Sequence, residues 1–269
     1  MAQSDTVFAG SIPALYNRYL APLIFEPYAA DLAKRVASGP VERVLETAAG
    51  TGVLTRALAG VLPSAAEIVA TDLNQPMLDF AATRPGAERV RWRQADATAL
   101  PFPDRSFDAV ACQFGAMFFP DKVTGYREAL RVLRPSGRFV FAVWDRIAEN
   151  EFADVVTEAV AALFPDDPPR FLARTPHGYY DSVKIRAELA AAGFTHIDIE
   201  LVEHRSRAAS PRDAAFGLCQ GTPLRNEIEA RDPSRLAEAT DAGAAALAAR
   251  FGPGPIDGKM QALVITASR

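Results

Sequence analysis

The sequence predicts an α/β fold in which a parallel sheet is covered by helices on both faces. Segments with strand character alternate with helix-like segments through the first two thirds of the chain, and a glycine-rich turn follows the first strand. Alternating strands and helices form βαβ units, whose helices cover both faces of a parallel sheet. The chain has 269 residues, of which 49% are hydrophobic, so one α/β domain with a large core can form.

Strands are predicted where short apolar runs end at small or polar residues. They cover residues 41–47, 66–71, 90–95, 107–113 and 138–144. The helices predicted between them cover residues 51–60, 76–83 and 126–133. Proline and glycine in the segment 134–137 indicate the end of the last helix and a turn before the next strand.

The rest of the chain predicts two late strands with a helical insertion between them. Residues 196–202 alternate apolar and polar side chains, and residues 260–267 form an apolar run. The stretch between them is mostly helical. We therefore expect a core over residues 41–206 and 259–269, and an insertion over residues 207–258.

Residues 1–40 predict an N-terminal helical cap. Ser11 is a candidate N-cap for a first helix, which Pro22 and Pro27 are expected to separate from a second helix that ends near Val36. The cap therefore precedes the core as a separate helical segment.

Composition weighs against several classes of protein. The formal charge is -4 and the pI about 5.5, without a long Lys/Arg run, which argues against a nucleic-acid partner. Cys112 and Cys219 lie far apart and the three histidines do not cluster, so we expect neither a metal site nor a disulfide. The first residues lack the pattern of a secretory signal, and no apolar run reaches the ~18 residues that span a bilayer. The cytoplasm is therefore the expected location.

The strongest functional signal is the segment 44–52, which reads Val-Leu-Glu-Thr-Ala-Ala-Gly-Thr-Gly. It places a strand, a tight turn of small residues and the start of a helix in direct succession. The carboxyl ends of parallel strands form the ligand crevice of such folds. Glycine lets a ligand approach the backbone closely, and a helix N-terminus favours a carboxylate or a phosphate.

A dinucleotide-binding turn is the main alternative for this segment. Its G-x-G-x-x-G/A pattern needs Gly or Ala at position 55 after Gly50 and Gly52, and the sequence has Thr55. Asp72 ends the second strand about twenty residues further on, where a carboxylate can accept both hydroxyls of a ribose. A helix-capping role ahead of Pro76 is the alternative for Asp72.

Further motifs follow in order along the chain. They are Asp96-Ala97 after the third strand, LPFPDRSFDAV at residues 100–110 and ALRVLRPSGRFVFAVW at residues 129–144. With Glu-x-x-x-Gly-x-Gly and Asp72, this set resembles the class I S-adenosylmethionine (SAM)-dependent methyltransferases, and among them the small-molecule group that includes quinone-biosynthesis methyltransferases. The resemblance covers residues 41–144. It implies SAM as cofactor and a Rossmann-like, seven-stranded, mostly parallel sheet in the order 3-2-1-4-5-7-6, with the last strand antiparallel.

The resemblance also implies roles for residues of the glycine turn. Gly50, Thr51 and Gly52 are expected to face the methionine part of SAM with their backbone. Glu46 is expected beneath them, where it can bind the amino group of SAM through water. Ala48 stands where the family usually has glycine, which predicts a narrower pocket or a weaker cofactor site.

Residues at the other strand ends are implied to hold the rest of the cofactor. Asp72 is expected to bind the ribose hydroxyls, and Leu73 to pack on the adenine. Asp96 is expected to accept from the adenine amino group, with the N–H of Ala97 close to the ring. Gln113 is expected beside the amino-acid end of SAM.

Candidates on the substrate side carry weaker signals. His177 and Tyr179 lie in a Pro-rich loop, and a histidine can act as a general base near neutral pH. A surface turn in which the tyrosine packs against the next helix is the alternative. Tyr16 and Tyr19 could close over the cofactor from the N-terminal helix, or form an aromatic stripe in a helix contact.

We therefore expect methyl transfer from SAM to O, N or C of a small organic molecule, with the insertion 207–258 as a substrate cover. No nucleic-acid or membrane partner is expected, and a homodimer is left open. Two alternatives stay open: a non-catalytic SAM- or ligand-binding protein of the same fold, and a nicotinamide-dinucleotide oxidoreductase. The acceptor molecule does not follow from the fold.

Overall fold

The computed structural model describes Phe8 and residues 10–269. Within these residues, seven strands form one mixed sheet in the order β3-β2-β1-β4-β5-β7-β6. The strands are β1 Arg43–Glu46, β2 Glu67–Asp72, β3 Val90–Gln94, β4 Phe107–Gln113, β5 Leu133–Trp144, β6 His196–Ala208 and β7 Ile256–Ser268. The predicted fold class and strand order are confirmed.

The first five strands form the parallel part of the sheet. β1 pairs in parallel with β2 on one side and β4 on the other, and the series continues to β3 and β5. Almost every residue of β1, β2 and β4 is buried. Such continuous apolar strands are typical of a parallel sheet covered on both faces.

The two late strands run antiparallel to each other. The N–H of Thr195, just before β6, donates to the carbonyl of Ser268 at the end of β7. Near the other end of β6, Arg205 pairs with Asp257 at the start of β7 over 2.6 Å. Contacts that join the start of one strand to the end of the other require opposite directions.

Helices occupy the connections between the strands. They are α1 Ile12–Leu15, a π-helix Tyr16–Phe25, α2 Glu26–Val36, α3 Val53–Val61, α4 Gln75–Ala82, α5 Lys122–Val132, α6 Glu151–Ala162, α7 Phe171–Arg174, α8 Ser182–Ala192, α9 Pro211–Gln220, α10 Leu224–Arg231 and α11 Leu236–Phe251. Short 3-10 turns cover Ala116–Phe118, Ile147–Glu149 and Pro233–Arg235.

The N-terminal helices differ from the prediction. The prolines were expected to break the chain into two helices, but it stays helical from Ile12 to Val36 because the segment around Pro22 is a π-helix. In a π-helix each N–H pairs with the carbonyl five residues earlier, as Glu26 does with Ala21, so the proline ring is not forced against the carbonyl four residues before it. The expected cap by Ser11 is also wrong, because its side chain caps no N–H.

The predicted turn at residues 134–137 lies within β5. Leu133 already pairs with Phe107, whereas the next pair joins Arg138 to Ala109. Four residues of β5 therefore face a single residue of β4, and Pro135 and Gly137 lie in this irregularity. The proline and glycine signal marked a bulge, which places an unpaired segment within a strand.

The late strands are longer than predicted. β6 continues to Ala208 and β7 begins at Ile256, so the helices of the insertion lie between Pro211 and Phe251. Arg205 and Arg207 both pair with Asp257 across the strands, and cross-strand charge pairs stabilise such extensions.

The chain divides into two compact units. One comprises residues 1–26, 144–179 and 203–261, and the other comprises residues 27–143, 180–202 and 262–269. The first unit groups the insertion with the segment after β5, and the second groups α2 with the parallel strands. These two units do not follow the boundaries predicted for the cap, the core and the insertion. The division into those three domains therefore stays a prediction.

Candidate functional site

The predicted cofactor residues of the second unit meet where the parallel strands end. Glu46, Asp72 and Gln113 are the last residues of β1, β2 and β4. Strand register places Glu46 beside Ala70 on one side and Ala111 on the other, so these ends are neighbours along one edge of the sheet. This edge is where parallel α/β sheets bind ligands.

The turn after β1 has an unusual backbone. Ala48, Gly50 and Gly52 have φ angles of 53°, 55° and 75°. A left-handed residue at every second position winds the chain tightly before α3 begins at Val53. A side chain at position 52 would come within 2.9 Å of the Trp92 ring, so only glycine fits there. The turn leaves the first N–H groups of α3 free of partners within the helix.

Asp72 holds this turn from the end of β2. Its Oδ2 accepts from the N–H of Gly50, and its Oδ1 from the N–H of Asn74, both at 2.8 Å. Burial raises the pKa of the Asp72 carboxyl, and the two N–H groups act in the opposite direction. The amide Nδ2 of Asn74 also donates to Oδ1, over the longer distance of 3.4 Å. Each oxygen of an ionised carboxylate has a second lone pair, so Oδ2 can accept one further hydrogen bond from a ligand, and Oδ1 can accept another if it replaces this long bond.

Glu46 lies beneath the turn and is almost fully buried. The hydroxyl of Thr55, on α3, donates to Glu46 Oε2 over 2.5 Å. Burial raises the pKa of the Glu46 carboxyl to about 8, with a small further contribution from the negative charge of Asp72. A positively charged group close to Glu46 would favour the ionised carboxylate.

The adenine-side residues surround an open surface. The side chain of Leu73 is 52% exposed although it follows the buried Asp72, which leaves an apolar surface free to pack on a flat ring. Asp96 is exposed and accepts from the N–H and the hydroxyl of Thr98. Ala97 and Gln113 are half-buried. Leu73 and Asp96 follow adjacent strands, because Asp72 and Gln94 are paired.

Ala48 packs against the turn that follows β4. A side chain at Gly115 would collide with the methyl group of Ala48 and come within 2.9 Å of Cys112 Sγ. Gly115 therefore makes room for the alanine that replaces the family's usual glycine. The Cys112 thiol itself is buried, which raises its pKa to about 12 and keeps it an unreactive core group.

The features of this edge fit SAM. The Thr51 hydroxyl is buried in the turn and has no hydrogen-bond partner within the described part of the chain, so it can serve a bound group. The tight glycine turn and the helix start suit a carboxylate, the Asp72 carboxylate suits paired hydroxyls, and the exposed Leu73 suits an adenine. The anion-binding turn, the acidic Asp72 and the apolar Leu73 thus correspond to the methionine carboxylate, the ribose and the adenine of SAM.

The predicted catalytic residues belong to the first unit. His177 is buried, and its Nδ1 lies 2.8 Å from the carbonyl oxygen of Asp145. Because a carbonyl only accepts, Nδ1 carries the proton and Nε2 keeps a lone pair. Burial lowers the pKa of His177 to about 4, and the ring packs near Trp144 at 5.8 Å between centroids. Tyr179 is buried.

Tyr16 and Tyr19 also belong to the first unit, on the π-helix. Tyr16 stacks on Phe25 at 4.8 Å between ring centroids, and Tyr19 packs against Phe216 of α9 at 5.0 Å. Both tyrosines are half-buried. The aromatic stripe considered as their alternative therefore exists, and a role toward the cofactor stays a prediction.

Sequence reasoning missed several residues around the strand-end site and around His177. Thr55 was noted only because it breaks the dinucleotide pattern, yet it is the hydrogen-bond donor to Glu46. The N–H of Asn74 donates to the Asp72 carboxylate. Asp145, directly after β5, accepts from Gln261 Nε2 over 2.6 Å and holds His177 through its carbonyl. The position of Asp145 directly after a parallel strand was the sequence signal that could have identified it as a site residue.

Two expected absences can be examined over Phe8 and residues 10–269. In that part of the chain no group of His, Cys, Asp and Glu side chains could hold a metal ion. The same residues contain no helix of sufficient length and apolarity to cross a membrane.

Comparison with known proteins points to one family. A family model for a methyltransferase domain matches residues 45–141. The ubiquinone/menaquinone biosynthesis C-methyltransferase UbiE of Ectopseudomonas mendocina is 33% identical over 171 residues, which cover 59% of this chain and 67% of that protein. The demethylmenaquinone methyltransferase of Clavibacter sepedonicus is 35% identical over 178 residues, which cover 62% of this chain and 69% of that protein.

A solved structure shares the fold at lower identity. Phosphoethanolamine N-methyltransferase 2 of Haemonchus contortus, in complex with S-adenosyl-L-methionine, has a TM-score of 0.58 and 16% identity, covering 95% of this chain and 56% of that one. The two sequence relatives match over about two thirds of their own length. The residues that the family model matches include the glycine turn and Asp72. An oxidoreductase and a non-catalytic binding protein are thereby disfavoured. The chain belongs to the class I SAM-dependent methyltransferases, and S-adenosyl-L-methionine is its cofactor.

Proposed function

We propose that this enzyme methylates a carbon atom of a small, partly apolar molecule of the quinone type. The observation that carries the proposal is the identity of 33% and 35% to two relatives whose names specify quinone-pathway methylation, one of them C-methylation. Carbon is thereby favoured over the oxygen and nitrogen acceptors that the sequence alone left open.

The proposal assigns the cofactor to the strand-end site. SAM supplies an electrophilic methyl group on a sulfonium. The backbone of Gly50, Thr51 and Gly52 would bind its carboxylate, and the buried Thr51 hydroxyl would gain a partner there. Glu46 would face the cofactor's amino group, and binding of that cation would favour release of the proton that burial otherwise retains on Glu46.

The other strand ends would hold the nucleoside. Asp72 would accept one ribose hydroxyl with the lone pair of Oδ2 that Gly50 leaves free, and a second at Oδ1 in place of the 3.4 Å bond from Asn74 Nδ2. Leu73 would pack on one face of the adenine, and Asp96 would accept from its amino group, beside Ala97. Gln113 would contact the amino-acid end, and Ala48 would shape the turn. Tyr16 and Tyr19 would close over the cofactor.

His177 is the proposed general base. A carbon nucleophile of a quinol-type ring is activated when a ring hydroxyl loses its proton. The bond from Nδ1 to the Asp145 carbonyl fixes the tautomer in which Nε2 can accept that proton. The low pKa keeps the ring neutral at pH 7, which leaves the lone pair available but makes the ring a weak base, so a bound acceptor would have to raise the pKa toward neutrality for proton transfer. Tyr179 would position the acceptor.

The experiment that tests the proposal uses SAM labelled in its methyl group. The purified enzyme would be incubated with demethylmenaquinol, with a catechol and with an aliphatic amine, each at equal concentration, under reducing conditions. We expect label on a ring carbon of the quinol only, located by mass spectrometry. Label on the catechol oxygen or on the amine, with none on the quinol, would replace the proposed acceptor while leaving methyl transfer in place.

Several expectations about the surroundings remain predictions. The insertion 207–258 is proposed to cover the substrate, which excludes water and aligns the reacting atoms. Hydrogen exchange with and without SAM and quinol would test it, because a cover should gain protection in α9 and α11. A small-molecule partner and a cytoplasmic location are expected, and a homodimer stays open.

A further inference from the structure

A cavity lies within the compact unit that carries the glycine turn. It has a volume of about 230 Å³. Small-molecule sites usually measure roughly 300–1,000 Å³, so this cavity suits a smaller group. Its lining consists of Asp104, Arg105, Arg127, Leu130, Arg131, Ala192 and Arg269. We call this set of residues the arginine pocket.

The arginine pocket lies at the opposite edge of the sheet from the cofactor site. Asp104 and Arg105 form the turn that leads into β4, whose carboxyl end carries Gln113. Arg127 and Arg131 lie on the second half of α5, and Arg269 follows β7. The pocket therefore adjoins the start of a strand whose far end belongs to the cofactor site, and SAM does not account for it.

One of the four arginines is already neutralised. Arg131 pairs with Glu128 at 2.7 Å and with Asp104 at 2.8 Å, and it also donates to the carbonyls of Phe102 and Leu100. These bonds hold its guanidinium in place and occupy both acidic side chains. Arg131 and Asp104 thus form a fixed wall of the pocket.

The other three arginines have no such partners. The guanidinium groups of Arg105, Arg127 and Arg269 make no hydrogen bond and no ion pair with any residue that the structure describes. Arg127 is close enough to Asp121 to lower the pKa of that carboxyl, but the two are not paired. The lining holds four guanidinium groups against the side-chain carboxylate of Asp104 and the α-carboxylate of Arg269, the last residue of the sequence, which leaves an excess of two positive charges, although the whole chain carries -4.

The backbone of Arg105 adds a second observation. Its φ angle is +54°, a left-handed conformation that costs a non-glycine residue roughly 1–2 kcal/mol. Its N–H donates to the carbonyl of Arg131 over 3.0 Å, which ties the turn to the end of α5. Glycine or asparagine would fit this turn with less strain, so an arginine here is disfavoured by the backbone and brings a charge to the pocket.

We propose that the arginine pocket binds a phosphate group. A phosphate carries close to two negative charges at neutral pH, which matches the excess positive charge of the lining. Guanidinium groups bind phosphate oxygens through paired hydrogen bonds, and three of them are free to do so. The phosphate can belong to a soluble anion or to the headgroup of a lipid.

The test is isothermal titration of the full-length protein with inorganic phosphate and with pyrophosphate. Saturating SAM is included, so that the anion-binding glycine turn is occupied. Low ionic strength is required because salt screens exposed charges. Vesicles of phosphatidic acid in phosphatidylcholine, compared with phosphatidylcholine alone, form the lipid arm.

Two variants and a control identify the site. Arg127→Gln and Arg105→Gly should each weaken phosphate binding roughly tenfold, because a charge-assisted hydrogen bond is lost. Arg105→Gly should fold well, since glycine suits its φ angle. Arg84→Gln removes an equal charge from an exposed residue outside the pocket and should change nothing.

The outcomes distinguish a soluble phosphate ligand, a lipid headgroup and the absence of a phosphate site. Binding of soluble phosphate that both variants weaken supports a soluble ligand, and binding of phosphatidic acid vesicles alone, weakened by the same variants, supports a lipid headgroup. Absence of binding in both arms would overturn the proposal, as would equal affinity of wild type, Arg127→Gln and Arg105→Gly.

Discussion

The hydroxyl of Thr55 donates a 2.5 Å hydrogen bond to Oε2 of Glu46, and both side chains are buried beneath the glycine turn. The bond joins the end of β1 to the first turns of α3 and so fixes the two elements that frame the turn. Thr55 stands at the position where a dinucleotide-binding turn would need glycine or alanine. Thr55, which argued against a dinucleotide cofactor, is therefore also the hydrogen-bond partner of Glu46.

Thr55→Val tests this bond, because valine keeps the shape of threonine and removes the donor. We expect the free energy of unfolding to fall by about 1–3 kcal/mol, since a buried acceptor loses its partner. Urea denaturation at pH 6 measures the change, and Thr55→Ser, which keeps the hydroxyl, serves as the control. Equal losses in Thr55→Val and Thr55→Ser would assign the effect to packing instead.

Glu46 should make stability depend on pH between about 5 and 8. Burial raises its pKa from 4.5 to about 8 in the folded protein, so within this range the folded state holds a proton that the unfolded state has released. Stability therefore falls as pH rises, by at most about 1.4 kcal/mol per pH unit, and levels off above pH 8.

Glu46→Gln removes this titration and keeps an acceptor for Thr55. Unfolding free energies of wild type and variant at pH 6, 7 and 8 should differ in slope, with the wild type losing more stability as pH rises. Parallel curves would show that Glu46 is already ionised in the folded protein at pH 6.

The grouping of the strand-end residues could be predicted from the sequence because its signals are local. The glycine turn, Asp72 and Asp96 each follow a strand directly, and parallel strands bring such ends together. The partners Thr55, Asn74 and Gly115 were not predicted as site residues, since their roles depend on the positions of neighbouring side chains. The π-helix around Pro22 was missed for a related reason: sequence rules treat proline as the end of a helix, and the wider hydrogen-bond pattern has no comparable local signal.

Ala48 and Gly115 should behave as a coupled pair. Ala48→Gly relieves a left-handed φ of 53° and should stabilise the protein by roughly 0.5–1 kcal/mol, after the higher flexibility of unfolded glycine is taken into account. Gly115→Ala should destabilise it by about 1–3 kcal/mol through overpacking, although its φ of -106° suits alanine.

The double variant separates collision from backbone strain. In Ala48→Gly/Gly115→Ala the methyl group at position 48 is gone, so the new methyl group at position 115 meets only Cys112. We expect the double variant to be clearly more stable than Gly115→Ala, beyond the gain from Ala48→Gly alone. Strict additivity in denaturant unfolding would mean that the two positions do not compete for space.

The lowered pKa of His177 should reduce the free energy of unfolding as the pH falls below 6.5. Burial lowers its pKa from 6.5 to about 4, so as pH falls through this range the unfolded state takes up a proton that the folded state refuses. Stability is therefore lost as pH falls from 6.5 to 4. Glu46 titrates with the opposite sign above pH 4.5, so wild type and variant must be compared at each pH.

His177→Asn keeps a group that can donate to the Asp145 carbonyl and removes the titration. Its stability should decline less than that of wild type between pH 6.5 and 4, as measured by urea unfolding. If His177 is also the base, kcat should fall while the Kd for SAM stays unchanged. A variant with wild-type kcat would leave His177 a structural role only.

Asp72 should contribute both to the shape of the turn and to cofactor affinity. Asp72→Ala removes the acceptor for Gly50 and Asn74 as well as the proposed ribose contact, so SAM should bind at least about a hundredfold more weakly, corresponding to two lost charge-assisted hydrogen bonds. Calorimetry with SAM measures this loss. Asn74→Ala is the comparison variant: it keeps the backbone N–H that donates to Asp72 over 2.8 Å and removes only the long 3.4 Å bond from Nδ2, so it should change affinity little. A dissociation constant for Asp72→Ala close to that of wild type would remove the ribose from the proposed role of Asp72, and circular dichroism of the same sample would show whether the turn still folds.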